Sequence, residues 1–425
     1  MRAAAASYLR TVAFYFYLVT VDMREKRNVL TYLAGREWLI LTLWFGLAFL
    51  GAVMEISRGN INNFLIFKNV FFHVLHQQPL YIPYPAEYYD VNLYGPVFSM
   101  VIAPFAALDT HMGALIWAMA GAAVLFYAIR QLPLNRMQQN IILLLCTQEL
   151  MGASGWFQLN QFIGAFIILT FTYTIKGKEL WATFFIVLGT LTKFYGIVGL
   201  AFFFFSPNPR RFISGLFLWG GILFVLPMII SSPNYIINCY FEWYAALVHK
   251  NQLNLGDIRS FQDISAGGFI KRVLHIPELN SLVILIPAVV IFLLQYTQLK
   301  YRYNSRYRLY ILCSTIMFPV LFSSSSESPT YIIAIPAICI WYVMQPATKW
   351  NNIFIFFAIL LVSFSHSDVV TPWVRKNLAV PYALKALPCL VLWLMIAYEI
   401  FTKKFLWKKE DVTPPVRELA PIAHL

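Results

Sequence analysis

A few polar residues in this apolar chain have the types and spacing that chemistry requires. The stretch QQPLYIPYPAEYYDVNLYGP, residues 77–96, sets Glu87 and Asp90 three apart among five tyrosines and four prolines. A carboxylate held there is able to take a proton from a hydroxyl, and a ring such as that of Tyr94 can stack on a sugar. Aromatic residues at a membrane boundary also serve simply as anchors. In GWFQLNQF, residues 155–162, Gln158 and Asn160 offer both donors and acceptors, which suits sugar hydroxyls and helix–helix bonding alike. Lys193, in LGTLTKFYG (188–196), falls between two short apolar runs, where an ammonium either holds a phosphate or only snorkels to water. Glu327, in SSSSESPTYIIAIP (323–336), is a further acid for the same cavity. Glu149 lies inside the apolar run 141–152, where a carboxylate costs about 2.5–3.5 kcal/mol on insertion scales, so it marks a function or reaches water at the end of the run. Lys271 and Arg272, with Arg259, are phosphate candidates or solvated loop bases.

These residues need a scaffold, and the bulk composition says which kind. The chain has 425 residues, 60% of them hydrophobic and 12% charged, with a mean hydropathy of +0.65. A soluble domain is about 25% charged. Apolar runs of membrane-spanning character recur from residue 37 to residue 401, without the alternation of a barrel, so the expected fold is an all-α polytopic membrane protein. Twelve crossings are expected near 37–56, 113–129, 138–153, 158–175, 179–192, 194–206, 212–231, 281–296, 309–323, 330–345, 352–367 and 383–401. The apolar stretch 94–108, with Pro96 and Pro104, reads as a juxtamembrane or re-entrant helix rather than a crossing.

Charge placement orients this layout. The net charge is +13, but the bases sit in short loops, as the positive-inside rule expects, so nucleic acid is not implied. The face holding both termini collects 22 of the 32 lysines and arginines, which makes it cytoplasmic. On this reading 1–36 is a cytoplasmic interfacial segment containing a helix at 3–22. Residues 37–401 form a single membrane domain with large outer loops at 57–112 and 232–280, and 402–425 is a basic cytoplasmic tail. A short interfacial helix is expected at 368–382. Within 62–81, Phe64, Phe67, Phe71, Val74 and Leu75 share a helical face, with Lys68, His73 and His76 directed elsewhere. Five cysteines, four of them in apolar runs and Cys239 alone in a loop, imply neither a disulfide framework nor a metal site. No nucleotide-binding or metal-binding motif occurs, so no cofactor is expected, and an enzyme of this design would draw an activated substrate from the lipid.

Over roughly residues 60–345 the chain resembles glycosyltransferase family 87, membrane glycosyltransferases of the GT-C fold that use polyprenyl-phosphate sugars. The resemblance rests on LYGPVFSMVIAPFAALD with ALIWAMAGAAVLFYAIR, on FQLNQFIGAFIIL, on ATFFIVLGTLTKFYGIVGL and on ESPTYIIAIP. It implies a GT-C-like bundle of about twelve helices with juxtamembrane helices in its outer loops, in the inner membrane of a bacterium. It also implies an inverting transfer of a mannose-like hexose or pentose from a polyprenyl phosphate to a hydroxyl of a glycolipid or glycan, at the outer face. Gln158 and Asn160 match the family's amide pair and Lys193 its lysine, while Asn62 or Asn63 stands where the family has an aspartate. An amide cannot accept a proton. Glu87, Asp90 and Glu327 are therefore the base candidates; Lys193, Lys271 and Arg272 face the donor phosphate; and Asn62, Asn63, Tyr94, Glu149, Gln158 and Asn160 face sugar.

Two rival readings stay open. A carrier, flippase or non-catalytic binder of lipid-linked sugar tolerates the missing aspartate. A ligase using diphosphate-linked glycans would employ Arg259, Arg272 and His275.

Overall fold

The computed structural model describes residues 23–256, 263–366 and 372–406. The expected helix at 3–22, Arg259, the first residues of 368–382 and the basic tail past 406 lie outside the described residues. The protein is all-helical, 78% helix, with no strand among the described residues. This is what uninterrupted apolar runs require, because a helix satisfies its own backbone hydrogen bonds where water is absent.

Four helices are long and apolar enough to cross a membrane: Glu37–Ser57, Thr110–Gln131, Pro209–Ile229 and Leu282–Tyr301, of 20 to 22 residues each. At about 1.5 Å per residue such a length matches a hydrocarbon core of about 30 Å. The remaining stretches expected to cross are helical too, and six of them form apolar helices below that length, such as Asn160–Ile175, Glu179–Thr192 and Ala386–Phe401. The stretch 94–108 yields only the nine-residue helix Phe98–Ala106. Polar caps start several helices. Asn208 accepts from the Arg211 amide with Pro209 at the first position, Asn304 caps Ser305–Phe322, and Thr348 caps Lys349–Ile359. Each cap satisfies an amide that the helix cannot.

The chain divides into two compact units. One comprises Met1–Leu43, Leu132–Glu149 and Phe261–Leu425; the other comprises Trp44–Gln131 and Leu150–Ser260. In the first unit the helices Ser305–Phe322, Tyr331–Met344 and Ala386–Phe401 supply the buried rings of Tyr307, Tyr310, Tyr331, Trp341 and Trp393. Here Asn140 donates to the Ala34 carbonyl, and Arg136 reaches the Glu37 carboxylate at 2.7 Å.

In the second unit Trp117 is the pivot. It stacks on Phe162 with ring centres 4.5 Å apart and donates through Nε1 to the Phe157 carbonyl at 2.8 Å. Gly51 permits a close helix contact, since a Cβ there would lie 2.2 Å from the Met151 carbonyl oxygen. The helix Asn62–Leu75 packs through Phe67, whose ring meets Tyr94 and Phe98 edge-on at 4.8 and 4.7 Å.

Two expectations change here. His73 points into the fold rather than away from it, buried with Phe64, Phe67 and Val74, while Leu75 is exposed. Cys239 lies not in a loop but on the helix Pro233–Gly256, buried against Val74, Leu80 and Ile236. The physical reason is shared: the segment 77–96 folds back over both helices and adds a second apolar contact surface that helical spacing alone does not reveal.

Candidate active site

The second unit builds its polar centre from the break after Thr192. The helix Glu179–Thr192 ends with Lys193 in an extended conformation, and a 3₁₀ segment, Phe194–Phe205, follows. The break turns the ammonium inward, and Lys193 Nζ donates to Asn160 Oδ1 at 2.7 Å. Asn160 in turn donates through Nδ2 to Gln158 Oε1 at 2.6 Å. The ammonium also lies 5.9 Å from the ring centre of Tyr94 and 5.1 Å from that of Tyr195, within cation–π range. Four residues expected at the site, Tyr94, Gln158, Asn160 and Lys193, are thus brought together. Tyr195 was not singled out from the sequence, although its place two residues past the lysine is a signal.

The segment 77–96 is tied down along its length, which delivers Tyr94 to Lys193. Tyr235 donates to the Gln78 carbonyl at 2.5 Å, Tyr81 to the Tyr94 carbonyl at 3.0 Å and Trp243 to the Leu93 carbonyl at 2.9 Å. Gly95 donates to the Thr192 carbonyl at 3.1 Å. Any larger residue is excluded there, because a Cβ would sit 2.0 Å from the Leu191 carbonyl oxygen. The amide of Asn62 takes up both backbone groups of Tyr89, at 2.7 and 3.2 Å. That of Asn63 donates to the Trp156 carbonyl at 2.9 Å.

Glu87 meets the buried histidine. Its Oε2 lies 2.9 Å from His73 Nε2, and the Tyr84 ring stacks over the imidazole at 4.2 Å. Burial holds His73 below its ordinary value, against the opposite pull of the Glu87 charge. The imidazole, held 2.9 Å from the carboxylate, fixes the position of Glu87. Burial, reinforced by Glu87, also raises the Tyr88 phenol. Asp90 has a left-handed backbone, φ 67°, and its Oδ1 accepts from the Val91 amide at 2.9 Å. A left-handed aspartate is tolerated where its side chain bonds locally.

A pH test follows for His73. Its folded value lies below the unfolded value of about 6.5, so as pH falls the unfolded chain binds the proton first, and stability drops from about pH 6.5 down through the folded value. The drop attributable to this one group is at most about 1.4 kcal/mol per pH unit. Thermal unfolding of the wild type and of His73→Gln between pH 7.5 and 5 should show a shallower acid slope in the variant. Equal slopes would remove His73 from the account.

The first unit carries the remaining candidates. Glu327 precedes the short turn Ser328–Thr330 and forms a reciprocal cap with Thr330, its own amide donating to Thr330 Oγ1 at 3.1 Å. Glu149 is buried and bonded to Lys385 Nζ at 2.7 Å. The same ammonium donates to the Ser328 carbonyl and hydroxyl oxygens, both at 2.9 Å. Neither outcome foreseen for Glu149 included this partner, because it lies 236 positions away. A lone lysine at the head of an apolar run, YALKALPCLV, was the available signal. Removing one member of such a pair typically costs about 3–5 kcal/mol, since the other charge is left buried alone. Lys271 and Arg272 are both buried, on the helix Ala266–Leu274. They face Asp263, whose carboxyl is raised by burial and drawn back by Ser265, Lys271 and Arg272.

Residues 92–324 match the sequence model of glycosyltransferase family 87. No curated protein matches the chain.

Proposed function

The chain belongs to glycosyltransferase family 87 and is therefore a membrane glycosyltransferase of the GT-C fold; from that premise we propose that it moves a sugar from a polyprenyl-phosphate donor to a hydroxyl of a glycolipid or glycan acceptor, with inversion. The observation that supports this most is the Lys193–Asn160–Gln158 chain of hydrogen bonds beside Tyr94. One cation, two amides and an aromatic face are what a phosphorylated sugar needs: charge for the phosphate, paired donors and acceptors for hydroxyls, and a flat apolar surface for the ring.

The reaction assigns a role to each group. A carboxylate takes the acceptor hydroxyl's proton as that oxygen attacks the anomeric carbon. The bond from the anomeric carbon to the phosphate oxygen breaks, and the polyprenyl phosphate leaves with the electron pair. Lys193 offsets the charge that develops on the leaving phosphate, an electrostatic role that does not require its own proton to move. Lys271 and Arg272, on the helix Ala266–Leu274, remain phosphate candidates. Glu87, Asp90 and Glu327 are the base candidates, with Glu87 favoured by its neutral histidine partner. Asn62 and Asn63 shape the lip around the sugar, and Glu149 acts through Lys385. The bundle has about twelve crossings, with both termini cytoplasmic, and the lip opens on the outer face of a bacterial inner membrane.

The amides in place of the family aspartate favour a second reading, a carrier or non-catalytic binder. The two are separated by incubating purified full-length protein with radiolabelled polyprenyl-phosphate sugars and a glycolipid extract. A new labelled glycolipid is the expected product. Donor that is bound but recovered unaltered, across the whole donor panel, would establish the carrier or binder instead.

A further inference from the structure

Two residues before Gln158, in the second unit, a tryptophan is turned out of the fold. Trp156 is 54% exposed, although Gly155 and Phe157 on either side of it are buried. The helix Arg136–Gly155 ends here, and Phe157 takes a left-handed backbone, φ 53°. That conformation is unfavourable for a bulky residue and persists only where the surroundings enforce it. Trp117 does so by donating to the Phe157 carbonyl at 2.8 Å, and Asn63 Nδ2 holds the Trp156 carbonyl at 2.9 Å. Backbone strain of this kind collects at functional sites. One of the two amides that stand where the family has an aspartate is thus put to use in fixing Trp156.

Beside the strained turn lies a carboxylate outside the base candidates. Glu55 is in the last turn of the helix Glu37–Ser57, and its stem crosses Gly155 so closely that a Cβ there would lie 2.9 Å from Glu55 Cγ. The chain then folds back, the Asn60 backbone N–H donating to the Glu55 carbonyl at 2.9 Å. This return brings Asn60 Nδ2 to Glu55 Oε2 and Arg58 Nη1 to Oε1, each at 2.7 Å. A carboxylate has about four lone-pair sites, so both oxygens can still accept, and the Glu55 side chain is 26% exposed.

The chemistry of the cluster selects its ligand. Glu55 and Arg58 cancel in charge, which leaves no net cation for a phosphate. An indole offers a broad apolar face to the C–H side of a sugar ring. The carboxylate and the Asn60 amide suit neighbouring hydroxyls, and hydrogen bonds to the ionised group are the stronger ones.

We propose that Trp156, Glu55 and Asn60 form a subsite for an uncharged sugar at the end of the acceptor. The subsite takes its role from the transferase reading, but its capacity to bind a sugar does not depend on that reading. Its place fits the role. Two residues span at most about 7 Å, so Trp156 adjoins Gln158, which Asn160 links to Lys193.

The test is saturation-transfer difference NMR on full-length protein in phosphatidylcholine nanodiscs, with methyl α-mannopyranoside and methyl β-glucopyranoside as neutral probes. Acceptor and donor KM are measured alongside, with radiolabelled polyprenyl-phosphate sugars and a glycolipid extract. A saturable glycoside signal is expected for the wild type, for Lys193→Met and for Trp181→Ala, a control at another tryptophan, 57% exposed. Trp156→Ala should abolish the signal and raise the acceptor KM about tenfold or more, with the donor KM unmoved. Trp156→Phe should retain part of the signal. Glu55→Gln should weaken it about tenfold, the worth of one charge-assisted hydrogen bond. Both side chains reach the surface, so unfolding temperatures should stay near wild type. This pattern of glycoside binding without transfer by the wild type would support the subsite and remove the transferase reading. Transfer with both the glycoside signal and the acceptor KM unchanged in Trp156→Ala and Glu55→Gln overturns the subsite, makes Trp156 an interfacial anchor only and leaves the transferase reading intact. A wild type with no saturable glycoside signal overturns it too.

Discussion

Glu87→Gln is expected to lower the rate of transfer by about 10²–10⁴, the usual worth of a positioned general base, while donor binding persists. The expectation rests on three features. Glu87 is a carboxylate in the acidic, tyrosine-rich lip that reaches Tyr94. It is held 2.9 Å from the buried imidazole of His73, whose pKa burial lowers, so the ring positions the carboxylate and leaves it the proton acceptor. And its side chain is 37% exposed, open to an acceptor as a base must be. Glutamine keeps the shape and removes the proton acceptor. Asp90→Asn and Glu327→Gln, measured in parallel with radiolabelled donor, provide the comparison. Asp90 already spends one oxygen on its neighbour's amide, and Glu327 caps its own turn, so both should lose less. If Glu327→Gln alone binds donor but loses transfer, Glu327 is the base. If all three transfer normally, none of them is the base.

Lys193→Met carries the second large effect, a loss of about 10²–10³ in kcat, as for removal of one preorganised electrostatic donor. Methionine retains most of the apolar stem and deletes the charge. It also releases Asn160, whose carbonyl oxygen is held 2.7 Å from the ammonium, and so loosens the Gln158 contact that Asn160 makes in turn. Arginine should rescue only in part, because its planar fork cannot reproduce a point donor on one amide while it lies beside Tyr94 and Tyr195. Transfer is read with labelled donor, and folding is checked by thermal unfolding. An unchanged kcat in Lys193→Met would remove the lysine from the reaction and leave it a packing role.

Much of the architecture was legible because it is dictated locally. A run such as ILLLCTQELMGAS or LVILIPAVVIFLL is helical for reasons contained in the run itself, and the structure has helices at those places. Pro104 and the brevity of 98–106 likewise kept 94–108 from becoming a long helix. Side-chain direction was less legible. Helical spacing within 62–75 put His73 on the wrong side because it considers a single apolar face, whereas Tyr84 and Tyr88 from the returning segment lie over the ring as well.

By itself the sequence determined an all-helical membrane chain, the order of its helices, and the polar and aromatic residue types at 94, 158, 160 and 193 on which the proposed site is built. Only the tertiary structure decided which partner each charge has: Asn160 for Lys193 across 33 positions, His73 for Glu87, and Lys385 for Glu149 across 236. The reason is the difference between the forces involved. Helix formation in an apolar run follows from neighbours a few residues apart, while the partner of a buried charge is whichever group long-range packing brings within about 3 Å, and no local pattern encodes that distance.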